Sequence, residues 1–270
     1  MSNDQAVLLA MEAAYERAFS HARGTQGFGL VAETGLTRVE STVPSPWFNS
    51  VLSTRLPISE QDTAIARVSR LYSDRGMPLL WRAGPASTNR ESLCTKLAAA
   101  GFHPAPPSTA ILGPIPALIE LWEVLPLPVR GVRVSGPAEY AQWFALFADA
   151  FGVAPSLEPF FSSVAARTGF EPEAETQNLL IERGGMPVAC ATTLWRPGEA
   201  FASVFNVAVA PSMRRKGLGK YILGYAALRL RRQGCRAIGQ FSTQAGMPFY
   251  LGVTPSRRLG EFENWIQVPA

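Results

Sequence analysis

Apolar positions along the first hundred residues switch between two periods. Val7, Leu8, Met11, Tyr15 and Phe19 recur at spacings of three and four, which predicts a helix over 5–21 with one apolar face. Short apolar and β-branched runs follow at 28–33, 37–42 and 50–56 and read as strands. A helix is expected over 60–75, ended by Gly76, then a strand over 79–82 and a helix over 90–100 closed by Gly101.

Between 104 and 128 the pattern is interrupted by Pro104, Pro106, Pro107, Pro114, Pro116, Pro126 and Pro128. Such density argues against long regular elements and for a packed connector, with a domain boundary near Leu125. Beyond it, a strand is expected over 132–135. An aromatic-faced helix over 137–151 carries Tyr140, Trp143, Phe144 and Phe147, and another helix spans 157–167. Strands at 178–183 and 187–195 are joined by Gly184-Gly185, and an antiparallel neighbour follows at 200–209. The remaining elements are a helix from Gly217 to Gly234, a strand over 237–242, a short helix approaching Tyr250 and a closing strand over 261–268.

Composition fits this two-domain picture. The chain has 270 residues, 47% of them hydrophobic and 17% charged, enough apolar material for two cores and too little charge for disorder. A net charge of +4 is too small to imply nucleic acid. The distribution is more telling: no acidic residue lies between Glu199 and Glu261, where Arg214, Arg215, Lys216, Lys220, Arg229, Arg231, Arg232, Arg236, Arg257 and Arg258 all fall, so an anionic ligand is expected there. Cys94, Cys190 and Cys235 are widely spaced among apolar residues and imply buried thiols, without disulfide or metal site. The charged N-terminus and the lack of a long apolar run exclude a signal peptide and a membrane span, and the expected location is cytoplasmic.

The chemistry concentrates in 207–220, Val-Ala-Val-Ala-Pro-Ser-Met-Arg-Arg-Lys-Gly-Leu-Gly-Lys. A strand stops at a proline and a basic glycine-containing loop opens a helix, whose unpaired N–H groups and positive dipole end suit an anion such as a pyrophosphate. The segment resembles motif A of the GNAT superfamily of acyl-CoA N-acyltransferases, V-A-V-x-P-x-x-R-x-x-G-x-G. The resemblance implies that Arg214, Arg215, Lys216, Gly217, Leu218, Gly219 and Lys220 bind the pyrophosphate of an acyl-CoA, acetyl-CoA in the simplest case. It also implies that the backbone of Val207, Ala208 and Val209 holds the pantetheine arm and acyl carbonyl where two parallel strands splay apart.

The run 243–250, Thr-Gln-Ala-Gly-Met-Pro-Phe-Tyr, resembles that family's motif B, implying Thr243 and Gly246 at the cofactor and Tyr250 as general acid toward the leaving thiolate. Thr243 stands where the family often has asparagine, and Gly252-Val253 follows the tyrosine sooner than the usual Gly-Phe. Where relatives carry a glutamate base on the strand before motif A, this chain has Ser203, so ordered water, Glu182 or Glu158 becomes the candidate base.

The N-terminal half reads as a worn copy of the same unit. Aligning Pro57 with Pro211 sets Glu60, Gln61, Asp62 and Thr63 against Arg214, Arg215, Lys216 and Gly217, which disfavours CoA binding there. That half either shapes the acceptor pocket, with Trp47, Phe48 and Trp81 as wall candidates, or is architectural. The expected fold is α/β (α+β): tandem GNAT-like mixed, mostly antiparallel sheets flanked by helices, with splayed parallel strands in the C-terminal half. The expected domains are 1–125 and 126–270. The expected activity is direct acetyl transfer from acetyl-CoA to a primary amine of a small molecule or peptide, without metal, nucleic acid or membrane, by a monomer or homodimer. The alternatives are another acyl-CoA, a hydroxyl acceptor, a decarboxylation, or acyl-CoA binding without turnover.

Overall fold

A computed structural model describes residues 3–123, 128–199, 201–253 and 255–269. The chain divides into two compact units, Met1–Ala110 with Ser242–Met247 and Leu259–Ala270, and Ile111–Phe241 with Pro248–Arg258. The boundary expected near Leu125 lies outside the described residues.

The first unit starts with α1 (Asn3–Ser20), β1 (Phe28–Glu33) and β2 (Leu36–Ser41). It continues with β3 (Ser50–Thr54), α2 (Ile58–Ser73), β4 (Leu79–Ala83), α3 (Arg90–Ala99) and β5 (His103–Pro114). β1, β2 and β3 pair antiparallel, whereas β3 and β4 are parallel through Ser50↔Leu80 and Val51↔Trp81. Every residue of β3 and β4 is buried, as in strands covered on both faces. Ile65, Val68 and Tyr72 of α2 and Leu93 and Leu97 of α3 share a core with Trp81.

The proline-rich segment departs from expectation, because β5 is twelve residues long. Its prolines 104, 106 and 107 sit in the first five positions, and the buried run starts only at Ser108. A residue without an N–H donor is tolerated at the start of a strand, so these prolines delay burial without breaking the strand. Pro116 is the second residue of α4 (Ile115–Glu123), where the N–H would lack a helical partner anyway.

After α4 the second unit contains β6 (Arg130–Arg133), α5 (Pro137–Phe151), α6 (Glu158–Thr168), β7 (Thr176–Arg183) and β8 (Met186–Leu194). Then come β9 (Phe201–Val209), α7 (Leu218–Arg232), β10 (Ala237–Ser242) and α8 (Met247–Val253). The strands lie in the order β10-β9-β8-β7-β6. Pairs from β6 to β9 are antiparallel and β9–β10 is parallel, so β7 to β10 repeat the succession of β1 to β4. The last strand, β11 (Arg257–Gln267), pairs antiparallel with β4, Trp265 opposite Trp81. The closing strand expected over 261–268 therefore completes the sheet of the first unit.

Two helical layers bury the second sheet. Tyr140, Trp143, Phe144 and Phe147 of α5 cover one face with Leu180, Cys190 and Ala208. On the other face, α7 contributes Leu218, Ile222, Leu223 and Ala226 and is itself packed by α4. Trp122 lies 4.0 Å from the Tyr221 ring and 5.1 Å from the Tyr225 ring, between centroids. Gly224 permits this approach: a Cβ there would lie 2.8 Å from the Trp122 nitrogen and 2.9 Å from the Leu118 carbonyl oxygen. Gly224→Val should therefore lower stability by about 3 kcal/mol in a denaturant titration, since the clash is with backbone that cannot rotate away.

Candidate functional site

β9 and β10 stay together only over Phe201↔Ala237, Ala202↔Ile238 and Ser203↔Gly239, although β9 runs on to Val209 and β10 to Ser242. A gap therefore opens between two parallel strands at the centre of the motif. The divergence has a local cause in β9. Cys190 pairs with Ala208 and Thr192 with Phe205, so three steps on β9 answer two on β8, which is a β-bulge. Asn206 occupies it at φ 55, a left-handed conformation that asparagine tolerates better than most residues. Its amide donates to Thr192 Oγ1 at 3.2 Å, and Thr192 in turn donates to Asn178 Oδ1 at 2.8 Å.

Beyond the bulge, the Ala210 N–H donates to the Val188 carbonyl of β8. Backbone groups alternate sides along a strand, so Ala208 also addresses β8, whereas Val209 and Val207 present their amides and carbonyls to the gap. Arg214 Nε donates to the exposed Val209 carbonyl at 3.3 Å, in keeping with that alternation. Ala208, expected to join its neighbours in holding a ligand by backbone, is thus turned away from it.

The loop after β9 combines two left-handed residues, Arg215 at φ 63 and Gly217 at φ 82, with a 15-residue helix whose start has no side-chain cap. The first N–H groups of α7 are left for an external acceptor. Lys216 Nζ donates to the Ser212 carbonyl at 3.2 Å, while Arg215 and Lys220 are exposed. The glycine at 219 also serves packing. A Cβ there would lie 2.9 Å from the Phe249 ring, so Gly219 lets α8 close against the start of α7.

Tyr250 follows on α8, half-buried against the same core as Val207 and Val209, with its ring centroid 5.0 Å from that of Phe249. Burial raises its pKa well above the ordinary phenol value, so its hydroxyl is a proton donor at neutral pH. Ser203 sits at the narrow end of the gap, 2% exposed, and its Oγ has no hydrogen-bond partner. Its neighbours Ala202 and Val204 point into the α7 core, so Ser203 faces the α5 side.

Glu182 is not brought to the gap. It pairs with Arg130 of β6, the Arg130 nitrogens donating at 2.7 and 3.2 Å, and β8 stands between its strand and β9. Thr176, opposite Leu194 and so level with Ser203, is six residues back along β7, about 20 Å at strand rise. Glu158 accepts a hydrogen bond from Ser162 in the first turn of α6. Thr243 and Gly246 form the turn before α8, where Thr243 accepts the Gly246 N–H through both its carbonyl and its hydroxyl.

The first unit shows how the equivalent gap can be closed. Beyond Val51↔Trp81, the Trp81 indole N–H donates to Thr54 Oγ1 at 2.9 Å. The Thr88 N–H caps the Thr54 carbonyl at 3.0 Å, and the buried Gln61 amide holds the Thr88 carbonyl at 3.0 Å. The repulsion expected from Glu60 and Asp62 is only part of the picture, because Lys96 pairs with Asp62 and donates to the Ile58 carbonyl. Side chains and a loop thus bridge the diverging strands. Trp81 is fully buried in this core, whereas Trp47 is exposed.

Among the described residues no group of three or more His, Cys, Asp or Glu is placed to hold a metal, and no helix is long and apolar enough to cross a membrane. Burial raises the pKa of the free cysteines, Cys94 to about 11 and Cys190 to about 12, with Cys235 shifted in the same direction.

Residues 140–252 match the model of the acetyltransferase (GNAT) family. No curated protein matches the sequence. A GCN5-related N-acetyltransferase from Kribbella flavida superposes with TM-score 0.71 at 15% identity, covering 98% of this chain and 96% of that one. A tandem GNAT protein from the clavulanic acid biosynthesis pathway gives 0.64 at 14%, covering 94% and 87%. A functionally unknown conserved protein from Staphylococcus epidermidis gives 0.65 at 13%, covering 91% and 96%. At these identities the likeness is one of fold, and it extends over both units.

Asn206 lies outside the motifs, although an asparagine inside an otherwise apolar strand is a signal for a bulge, and the motif gives Gly219 a place in the loop without its packing against Phe249. Asn206→Val forces a β-branched residue into the left-handed region and should cost about 1–2 kcal/mol in thermal or denaturant unfolding, while Asn206→Gly should be tolerated better. Equal stability of the two variants would show that the bulge does not depend on this conformation.

Proposed function

With residues 140–252 forming a GNAT acetyltransferase domain, we propose that this acyltransferase moves an acyl group, most simply acetyl, from acyl-CoA to a primary amine within a ternary complex. The observation that carries the proposal is the gap between β9 and β10, left open beside an uncapped helix start that bears Arg214, Arg215, Lys216 and Lys220. Its residues fit such a co-substrate: N–H groups and cations for the pyrophosphate, strand amides for the arm, and an unpartnered buried hydroxyl at the narrow end. The co-substrate supplies a thioester carbonyl activated toward nucleophiles.

In this reading the first N–H groups of α7, with Arg215 and Lys220, fix the pyrophosphate. The gap-facing amide of Val207 or Val209 polarises the thioester carbonyl, which stabilises charge developing on oxygen. The acceptor nitrogen bonds to the carbonyl carbon, the C–S bond breaks, and Tyr250 gives its proton to the departing thiolate. Ser203 orients the acceptor or a water that takes the ammonium proton, since a hydroxyl is too weak a base to remove it alone. Acceptors are small-molecule or peptide amines.

A second reading follows from the same serine. With Glu182 held by Arg130 and Glu158 by Ser162, an acceptor that demands less of a base, such as a hydroxyl, is served by the same residues. Mass spectrometry of products from a panel of amines and alcohols with several acyl-CoAs separates the two.

Gly217→Glu or Arg215→Glu should weaken acetyl-CoA binding by about tenfold or more, by placing a carboxylate where phosphate is bound, and calorimetry reads this directly. Tyr250→Phe should lower turnover by at least about tenfold with little change in acetyl-CoA affinity. Because burial raises the Tyr250 pKa, the tyrosine stays protonated below about pH 10, so wild-type turnover should show no alkaline fall from its ionisation in that range. Unchanged turnover in Tyr250→Phe would leave the tyrosine a packing role only.

A further inference from the structure

Gln240 is the first residue of β10 beyond its last pairing with β9, Gly239↔Ser203, and it is 3% exposed. Its carbonyl Oε1 is enclosed by protein and has no hydrogen-bond partner. By strand alternation it shares a face with Ile238, whose side chain lies in the α7 core. That same cluster includes Val204, Val207 and Val209 of β9 and Phe249 and Tyr250 of α8, the residues around the gap. A buried amide with an empty acceptor is a liability in a strand where a valine or leucine would pack at no such cost. Its place beside the divergence suits an occupant that supplies a donor.

We infer that Gln240 positions the acyl donor by pairing its carboxamide with a secondary amide of the pantetheine arm, Oε1 accepting the arm's N–H. A carboxamide offers both an acceptor and donors and so complements a secondary amide, which an apolar side chain cannot do. This inference rests on the acyl-CoA reading above. It assigns to a side chain of β10 a share of the recognition that the motif residues place on β9 and α7. Gln240 acts on binding and orientation and takes no part in proton transfer.

The test is calorimetry of the full chain with CoA, acetyl-CoA and adenosine 3′,5′-bisphosphate, which lacks the arm, together with melting of the ligand-free protein. Gln240→Met and Gln240→Leu should bind CoA and acetyl-CoA about tenfold more weakly, with adenosine 3′,5′-bisphosphate affinity unchanged, and should melt no lower than wild type because an unpaired buried amide has been removed. The inference is overturned by CoA affinity within twofold of wild type, by equal weakening of all three ligands, or by a lower melting temperature in both variants, which would mark a structural amide. A loss confined to acetyl-CoA with free CoA unaffected would also overturn it, by placing the missing donor on the acyl group. Failure of the underlying reading is separately visible: wild type would then bind none of the three.

Discussion

A parallel pair of strands that stops pairing inside a protein leaves main-chain N–H and C=O groups without partners. β9 and β10 reach that point after Ser203 and Gly239, and the second unit is arranged around it. The Asn206 bulge, held by Thr192 and Asn178, turns β9 away while keeping it bonded to β8. The Val209 carbonyl receives Arg214, and the groups that remain face a gap flanked by α8 and the start of α7. Gly219 belongs to the same arrangement, because its missing side chain allows Phe249 to reach the helix that opens the motif.

The first unit meets the same constraint and resolves it internally. β3 and β4 share two pairs, after which the Trp81 indole, the Thr88 N–H and the Gln61 amide provide the hydrogen bonds that bridge the diverging segment. The two units thus share a strand succession, and in the first the diverging strands are bridged by protein groups. Buried polar groups demand partners in either case, and in the second unit the Ser203 hydroxyl and the Gln240 carbonyl have none within the protein.

Local order was largely legible in the sequence. The helix at Pro137–Phe151 and the strands at Phe28–Glu33 and Ala237–Ser242 fall where periodicity and their flanking prolines and glycines put them. These signals are local, as is the strand, proline, loop and helix of the motif. What escaped depends on distant residues. The prolines of β5 looked disruptive because nothing local shows that the buried part of the strand begins after them. β11 could not be assigned to β4 from its own pattern. Glu182, a candidate base by residue type, is taken up by Arg130 of a neighbouring strand, and the need for glycine at 224 comes from α4, about a hundred residues earlier in the chain.

If the proposed acyl donor binds, it enters between β9 and β10 of the second unit and not between their counterparts β3 and β4 in the first. Amide hydrogen exchange with and without CoA measures this most directly. New protection is expected at Val207, Val209, the first turn of α7 from Leu218, and Tyr250, with exchange over β3 and the start of α2 unchanged. Protection around Thr54 to Asp62, or none at Val207 to Lys220 at saturating CoA, would contradict it.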